Sequence, residues 1–167
     1  MNYSIIEGCI RQSLDLPIKK KIAILDLDGT LWNFHSGYTT FKTVDQLREL
    51  IYPEVFDCLK LLADRSIPIA IASASPRKDY CMKYFDMAFS EFKHKFKFIH
   101  IECCSKQKHF KLIKKAFDCE YEDMYFFDDQ RNFLHEACNL GINAFSAQGG
   151  LTVDTINLSK ILDLKNN

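Results

Sequence analysis

The chain has no surplus of charge. Its 22 Lys and Arg balance 22 Asp and Glu, so no bulk field draws it to nucleic acid or to a membrane surface, and any such bias has to be local. It has no long apolar run; stretches such as Ile67 to Ala72 are far too short to span a bilayer. Met1 to Arg11 lacks a basic start followed by an apolar stretch, so no signal peptide is expected and the expected location is cytoplasmic. There is no CxxC spacing among the seven cysteines, Cys9, Cys58, Cys81, Cys103, Cys104, Cys119 and Cys138. An odd number without such spacing points to reduced thiols rather than a disulfide framework. The adjacent Cys103 and Cys104 have the chemistry for zinc or redox work, but no second Cys/His pair has fitting spacing. No repeat, low-complexity tract or linker divides the chain. What remains is 167 residues of ordinary globular composition, enough for one domain with a sizeable core.

Short apolar runs alternate with helical patterns. Strands are expected at Ile22 to Leu25, Ile67 to Ala72, Phe96 to Ile101, Met124 to Phe127 and Ile142 to Phe145. Pro53 opens a helix with Val55, Phe56, Leu59 and Leu62 on one face. Ser75 and Pro76 read as the cap and first residue of a second. Ser105 caps a third carrying Phe110, Ile113 and Phe117, and Asn132 to Asn139 form a fourth that stops at Gly141. Residues 152–164 read as a closing amphipathic helix. Alternation of this kind predicts an α/β fold, a mostly parallel sheet with helices on both faces. Residues 1–20 are expected to be an N-terminal extension and 21–167 the domain, with a flap at about 33–50.

In such sheets ligands bind beyond the carboxyl ends of the strands. Three predicted strands end in polar residues: Asp26-Leu27-Asp28-Gly29-Thr30, Ser73, and Asp128-Asp129, while Lys106 opens the helix after another. If the first strand lies between the second and fourth, these groups meet at one edge. Gathered carboxylates raise one another's pKa unless a cation intervenes. Oxygen ligands without Cys or His point to Mg2+, which leaves open positions for a phosphate oxygen. Asp26 and Asp28, two residues apart, share a side as the strand ends, so one carboxylate can attack phosphorus while the other handles the leaving-group proton. Gly29 permits the sharp turn, and Thr30 can bond it.

The string Ile24-Leu25-Asp26-Leu27-Asp28-Gly29-Thr30-Leu31 resembles the first motif of the haloacid dehalogenase (HAD) superfamily, and Ser73, Lys106 and Asp128-Asp129 resemble its second, third and fourth. Leu31-Trp32, Tyr52-Pro53-Glu54-Val55, Ile67-Pro68-Ile69-Ala70, Ser105-Lys106 with His109-Phe110, and Phe126 to Asp129 are similar to the eukaryotic-type magnesium-dependent phosphatases. The resemblance covers roughly residues 21–150. It implies a Rossmann-like three-layer sandwich, capless or with a minimal flap. It further implies an Mg2+-dependent phosphatase acting on phosphotyrosine-like or sugar phosphates, whether on a small molecule or a phosphoprotein. Carried over, Asp26 is the nucleophile and Asp28 the general acid/base. Ser73, Lys106 and Thr30 bind substrate. Asp26, Asp28, Asp128 and Asp129 hold the metal, helped by the Leu27 carbonyl. The family's Arg after the second-motif serine is Ala74 here, and Arg77 is the nearby substitute.

Two rival functions use the same residues. The basic, aromatic segment Phe92 to Phe98 would suit a nucleic-acid-end phosphatase, although an amphipathic edge strand with lysines outward explains it as well. A non-catalytic binding module on the same fold is opposed by the intact acidic motifs. Trp32 and Phe34 read as the hydrophobic base of the flap, with Phe34, Tyr38 and Phe41 the flap residues nearest a leaving group. Cys58, Cys119 and Cys138 read as small core residues.

Overall fold

The structure, a computed structural model, describes residues 3–6, 9–12, 21–41 and 43–163. Its centre is a seven-stranded sheet. The strands are β1 (Tyr3–Ile6), β2 (Cys9–Gln12), β3 (Ile22–Leu25), β4 (Ile69–Ser73), β5 (Phe96–Ile101), β6 (Met124–Asp128) and β7 (Asn143–Ser146), in the spatial order β1-β2-β5-β4-β3-β6-β7. The last five in that order run parallel; β1 and β2 form an antiparallel pair that extends the sheet beyond β5.

β3 is buried along its whole length, which explains why its sequence is apolar without alternation. Ala23 and Leu25 face one core and Ile22 and Ile24 the other. The first core is closed by helices α2 (Val55–Asp64), α3 (Lys78–Phe89) and α6 (Val153–Leu158), the second by α4 (Lys106–Phe117) and α5 (Arg131–Asn139). This is the expected three-layer sandwich. From β3 the chain steps outward through β4 to β5, then returns to β6 on the other flank of β3. The carboxyl end of β3 is therefore the switch point where a parallel sheet opens a crevice.

Several expectations shift. β4 begins two residues late, at Ile69, because Pro68 has no amide to give the ladder; its carbonyl accepts from the Ala23 amide instead. α3 starts at Lys78 rather than at Ser75-Pro76, which stay in the loop leaving β4. The closing helix ends at Leu158, and residue 164 lies outside the described residues. β5 is no edge strand, since β2 pairs with it, and Lys93 to Lys95 form a 3-10 turn before it. Cys58 is buried as expected, Cys119 only half-buried, and Cys138 exposed. The flap spans residues 33–50 between stem contacts, the Asn33 amide bonding the Leu50 carbonyl and the Tyr52 amide the Leu31 carbonyl. It carries the short helix α1 (Val44–Arg48). No helix among the described residues is long and apolar enough to cross a membrane.

Candidate active site

Asp26 follows the last residue of β3, with its amide bonded to the Phe127 carbonyl of the adjacent β6. Asp128 closes β6, and its Oδ1 accepts from the Gln130 amide at 2.8 Å. Lys106 opens α4 and reaches back under both carboxylates. Its Nζ lies 2.6 Å from Asp26 Oδ1, 2.9 Å from Asp128 Oδ2 and 2.7 Å from the Ala72 carbonyl. It is fully buried, with Phe126 and Phe133 flanking the ammonium. Lys106 therefore contacts the acidic groups directly, beneath the cleft rather than in it.

The electrostatics follow from this burial. Burial raises the Asp26 carboxyl to about 7; Lys106 opposes the rise and Asp128 adds to it. Burial works to lower the Lys106 ammonium, but Asp26 and Asp128 more than offset it, and the lysine is held above its usual value. Asp129 is also raised, by burial and then by Asp128. Three crowded acids share one fixed cation, so the cluster remains short of positive charge.

Asp26, Asp128 and Asp129 each place an oxygen within 4.8 Å of the others, and among the described residues no other His, Cys, Asp and Glu group meets that geometry. Asp129 Oδ1 is buried without a hydrogen-bond partner among the described residues. The loop is tight: Gly29 has φ +80°, and a Cβ there would sit 2.5 Å from Asp129 Oδ2. All-oxygen, carboxylate-rich donors with an unsatisfied buried oxygen fit a hard divalent cation.

Asp28, expected among the metal ligands, is placed differently. Its Oδ1 accepts from Trp32 Nε1 at 2.7 Å, and its Oδ2 accepts from the Ser36 amide and hydroxyl at 3.0 Å each. The chain leaves the strand after Leu25, so side-chain alternation no longer sets where Asp28 points. The Leu27 carbonyl is not open to a metal either, because it faces the amides of Thr30, Leu31 and Trp32 in the turn. Thr30, expected to bind substrate, is fully buried and is not among the residues that line the cleft.

An open cleft of about 170 Å3 lies over Asp26 and Asp28, bounded by Ser73 to Pro76, by His35, Gly37 and Tyr38 of the flap, and by Gln130 and Phe133. Ser73, expected to bind substrate, is one of its lining residues. Arg77 does not replace the missing arginine; its guanidinium stacks on the Tyr80 ring at 4.2 Å. Of the three flap aromatics, only Tyr38 is free, 90% exposed. Phe34 stacks on Trp32 and meets Phe41 and Tyr84 edge-on, so Phe34 and Phe41 pin the flap to α3. Ser36, His35 and Gln130 are isolated polar residues in irregular segments with no periodic signal in the sequence, and Ser75, expected to be a helix cap, lies at the cleft instead.

A parallel sheet with acidic groups and a buried lysine at its switch point defines the class: a HAD-type phosphatase. The family described as acid phosphatase matches residues 18–160, and the chain belongs to it. It is 30% identical over 149 residues to human magnesium-dependent phosphatase 1, covering 81% of this chain and 82% of that protein. Solved structures share the fold at low identity. A HAD-like phosphatase from Mesorhizobium loti superposes with a TM-score of 0.66 at 10% identity, over 95% of each chain. The N-terminal phosphatase-domain part of Bacteroides fragilis BF1531, complexed with Mg, gives 0.60 at 18% identity; the match covers 87% of this chain and 40% of that one.

Proposed function

We propose that this phosphatase is an Mg2+-dependent phosphomonoester hydrolase that works through an aspartyl-phosphate on Asp26. One observation carries the reading: the Asp26 carboxylate stands at the floor of an open cleft, held from below by Lys106 and clustered with two further carboxylates. Asp26, Asp128 and Asp129 hold the cation, which when bound neutralises charge on the phosphoryl oxygens.

This chain's own groups do the rest. Lys106 fixes the Asp26 oxygen it bonds, leaving the other to attack phosphorus. As that bond forms, the bond from phosphorus to the leaving oxygen breaks, and Asp28 gives its proton to that oxygen. Asp28 then takes a proton from the water that attacks the phosphorus, and Asp26 is released. Ser73 stands beside Asp26 to bond a phosphoryl oxygen.

The cleft mouth supports the substrate class. It is open, has no enclosing cap among the described residues and carries exposed Tyr38, which suits phosphate on an aromatic or sugar carrier. The nucleic-acid-end reading loses support because Lys93 pairs with Asp86 and Lys97 bonds the His94 carbonyl, so the basic segment is engaged locally. Phosphate release from phosphotyrosine peptides and sugar phosphates, with Mg2+ and with chelator, tests the proposal. No turnover of either with Mg2+ present would overturn it.

A further inference from the structure

Ser36 is a flap residue that bonds Asp28 through both its amide and its hydroxyl, and it sits in a hydrogen-bond network whose directions are forced. A carboxylate only accepts, so the Ser36 hydroxyl donates to Asp28 Oδ2. Its proton is then committed, and its other contacts must donate to it: Ser75 Oγ at 3.0 Å and Cys81 Sγ at 2.7 Å. Burial pushes the Cys81 thiol up, consistent with an S–H donor. Ser75 Oγ in turn accepts from the Arg77 amide, and the Ser75 amide donates to Ser73 Oγ. Ser36 Oγ gives one hydrogen bond and takes two, which is its full capacity. Ser36 and Cys81 are buried and Ser75 is 8% exposed at the cleft wall, so water does not compete at the Ser36 hydroxyl.

The count at Asp28 is equally constrained. A carboxylate offers about four lone-pair sites. Two on Oδ2 are taken by the Ser36 amide and hydroxyl, and one on Oδ1 by Trp32 Nε1. One site remains, on Oδ1, and Asp28 lines the cleft.

We propose that Ser36 is a positioning residue that holds Asp28 by Oδ2, so that Oδ1 alone exchanges the proton with the leaving group and then with water. This rests on the reading of Asp28 as general acid/base. When Oδ1 bears the proton, Oδ2 is a carbonyl oxygen and still accepts both Ser36 donors. When the proton has left, Oδ2 shares the negative charge and accepts them still. The flap therefore serves both half-reactions without moving. The Ser73-Ser75-Ser36 link also ties Asp28 to the segment that binds the phosphoryl group, keeping the proton donor in register with the bond being broken.

The test is kcat/KM with Mg2+ on a leaving-group series: p-nitrophenyl phosphate, phenyl phosphate and an alkyl phosphate. This ratio reports the first phosphoryl transfer, where a good leaving group needs little proton donation and a poor one needs much. Ser36→Ala is expected to lose less than about threefold on p-nitrophenyl phosphate and more than about tenfold on the alkyl phosphate. The Mg2+ concentration for half-activation should not move, and Ser36→Thr, which keeps the hydroxyl, should lie closer to wild type across the series. An equal loss on all three substrates, or no loss, overturns the assignment. If Ser36→Ala does not fold, Ser75→Ala removes one donor to Ser36 Oγ and should show the same trend with a smaller slope; a flat response overturns the proposal again. Failure of the wild type on every substrate would remove the phosphatase reading and this role with it, whereas an active wild type with a flat variant removes only the role of Ser36.

Discussion

Lys106 Nζ sits 2.6 Å from Asp26 Oδ1, out of solvent, so the proposed nucleophile and its fixed counter-ion form one buried unit across the sheet's central seam. Removing either partner therefore has unequal effects. Lys106→Met strands Asp26 and Asp128 without a cation and should cost about 3–5 kcal/mol of stability. Asp26→Asn leaves the lysine bound to Asp128 and the Ala72 carbonyl, so it should cost clearly less while lowering turnover by several orders of magnitude. Denaturant unfolding beside steady-state kinetics checks both. Asp26→Asn activity within about tenfold of wild type would rule out the nucleophile.

Metal choice follows from the three-carboxylate cluster. Activity should vanish on chelation, return with Mg2+, and be inhibited by Ca2+, whose longer bonds and higher coordination misplace the attacking oxygen. Phosphate release in each condition decides it. Full activity in Ca2+ would contradict an Mg2+ site.

Gly29 separates metal geometry from catalytic groups. Alanine there is strained at φ +80° and meets Asp129 within bonding-like distance of its carboxylate. Gly29→Ala should cost about 1–3 kcal/mol and raise the Mg2+ requirement, because Asp129 has to move. An unchanged Mg2+ dependence in a folded Gly29→Ala protein would show that Asp129 is not a ligand.

A second buried pair should contribute an acid-sensitive share of the stability. His100 and His109 bond through their Nδ1 atoms at 2.7 Å, which requires at least one of them to be neutral. Burial lowers both, His109 to about 3, with Lys106 adding to the effect on His109. The unfolded chain binds those protons near pH 6.5, so the histidine contribution is full above that value and falls as pH drops toward 3, while the Asp26 carboxyl, raised to about 7, contributes in the opposite sense over the same range. The slope from His109 alone is about 1.4 kcal/mol per unit. The difference in unfolding free energy between wild type and His109→Gln should fall as pH drops from 7 to 5, the Asp26 contribution being common to both proteins. Parallel curves would contradict the shift.

Flap substitutions should sort by burial. Tyr38→Ala should alter the ratio of kcat/KM for a phosphopeptide to that for a sugar phosphate and leave stability nearly intact. Phe34→Ala and Phe41→Ala should instead destabilise by about 3–5 kcal/mol, since Phe34 packs against Trp32 and Tyr84, and Phe41 against Phe34 and Tyr84. A Tyr38→Ala protein with the wild-type ratio would remove the flap from substrate choice.

Elements with a strong local pattern were legible in the sequence. β3 and β5 match their predicted ends, and β6 runs one residue further, to Asp128, because fully buried parallel strands read as unbroken apolar runs. The order of the motifs placed Asp26, Asp128 and Lys106 together once β3 was put between β4 and β6. What the sequence did not disclose was orientation in irregular backbone. Asp28 turns toward Trp32 and Ser36, Arg77 turns to Tyr80, and Ser36 lies in a stretch without periodicity. Side-chain direction there is set by long-range hydrogen bonds that no short window contains.

The position of β3 has a consequence for biosynthesis. It pairs with β4 and β6, both encoded much later, and β6 brings Asp128 and Asp129. A chain emerging from the ribosome thus carries Asp26, the proposed nucleophile, long before it carries Asp128 and Asp129, the other proposed metal ligands, or the Lys106 ammonium that pairs with it. Long-range pairing of this kind forms late and slowly. Until residue 129 is out, the growing polypeptide lacks part of the proposed centre, and a chain terminated upstream of it is expected to be inert.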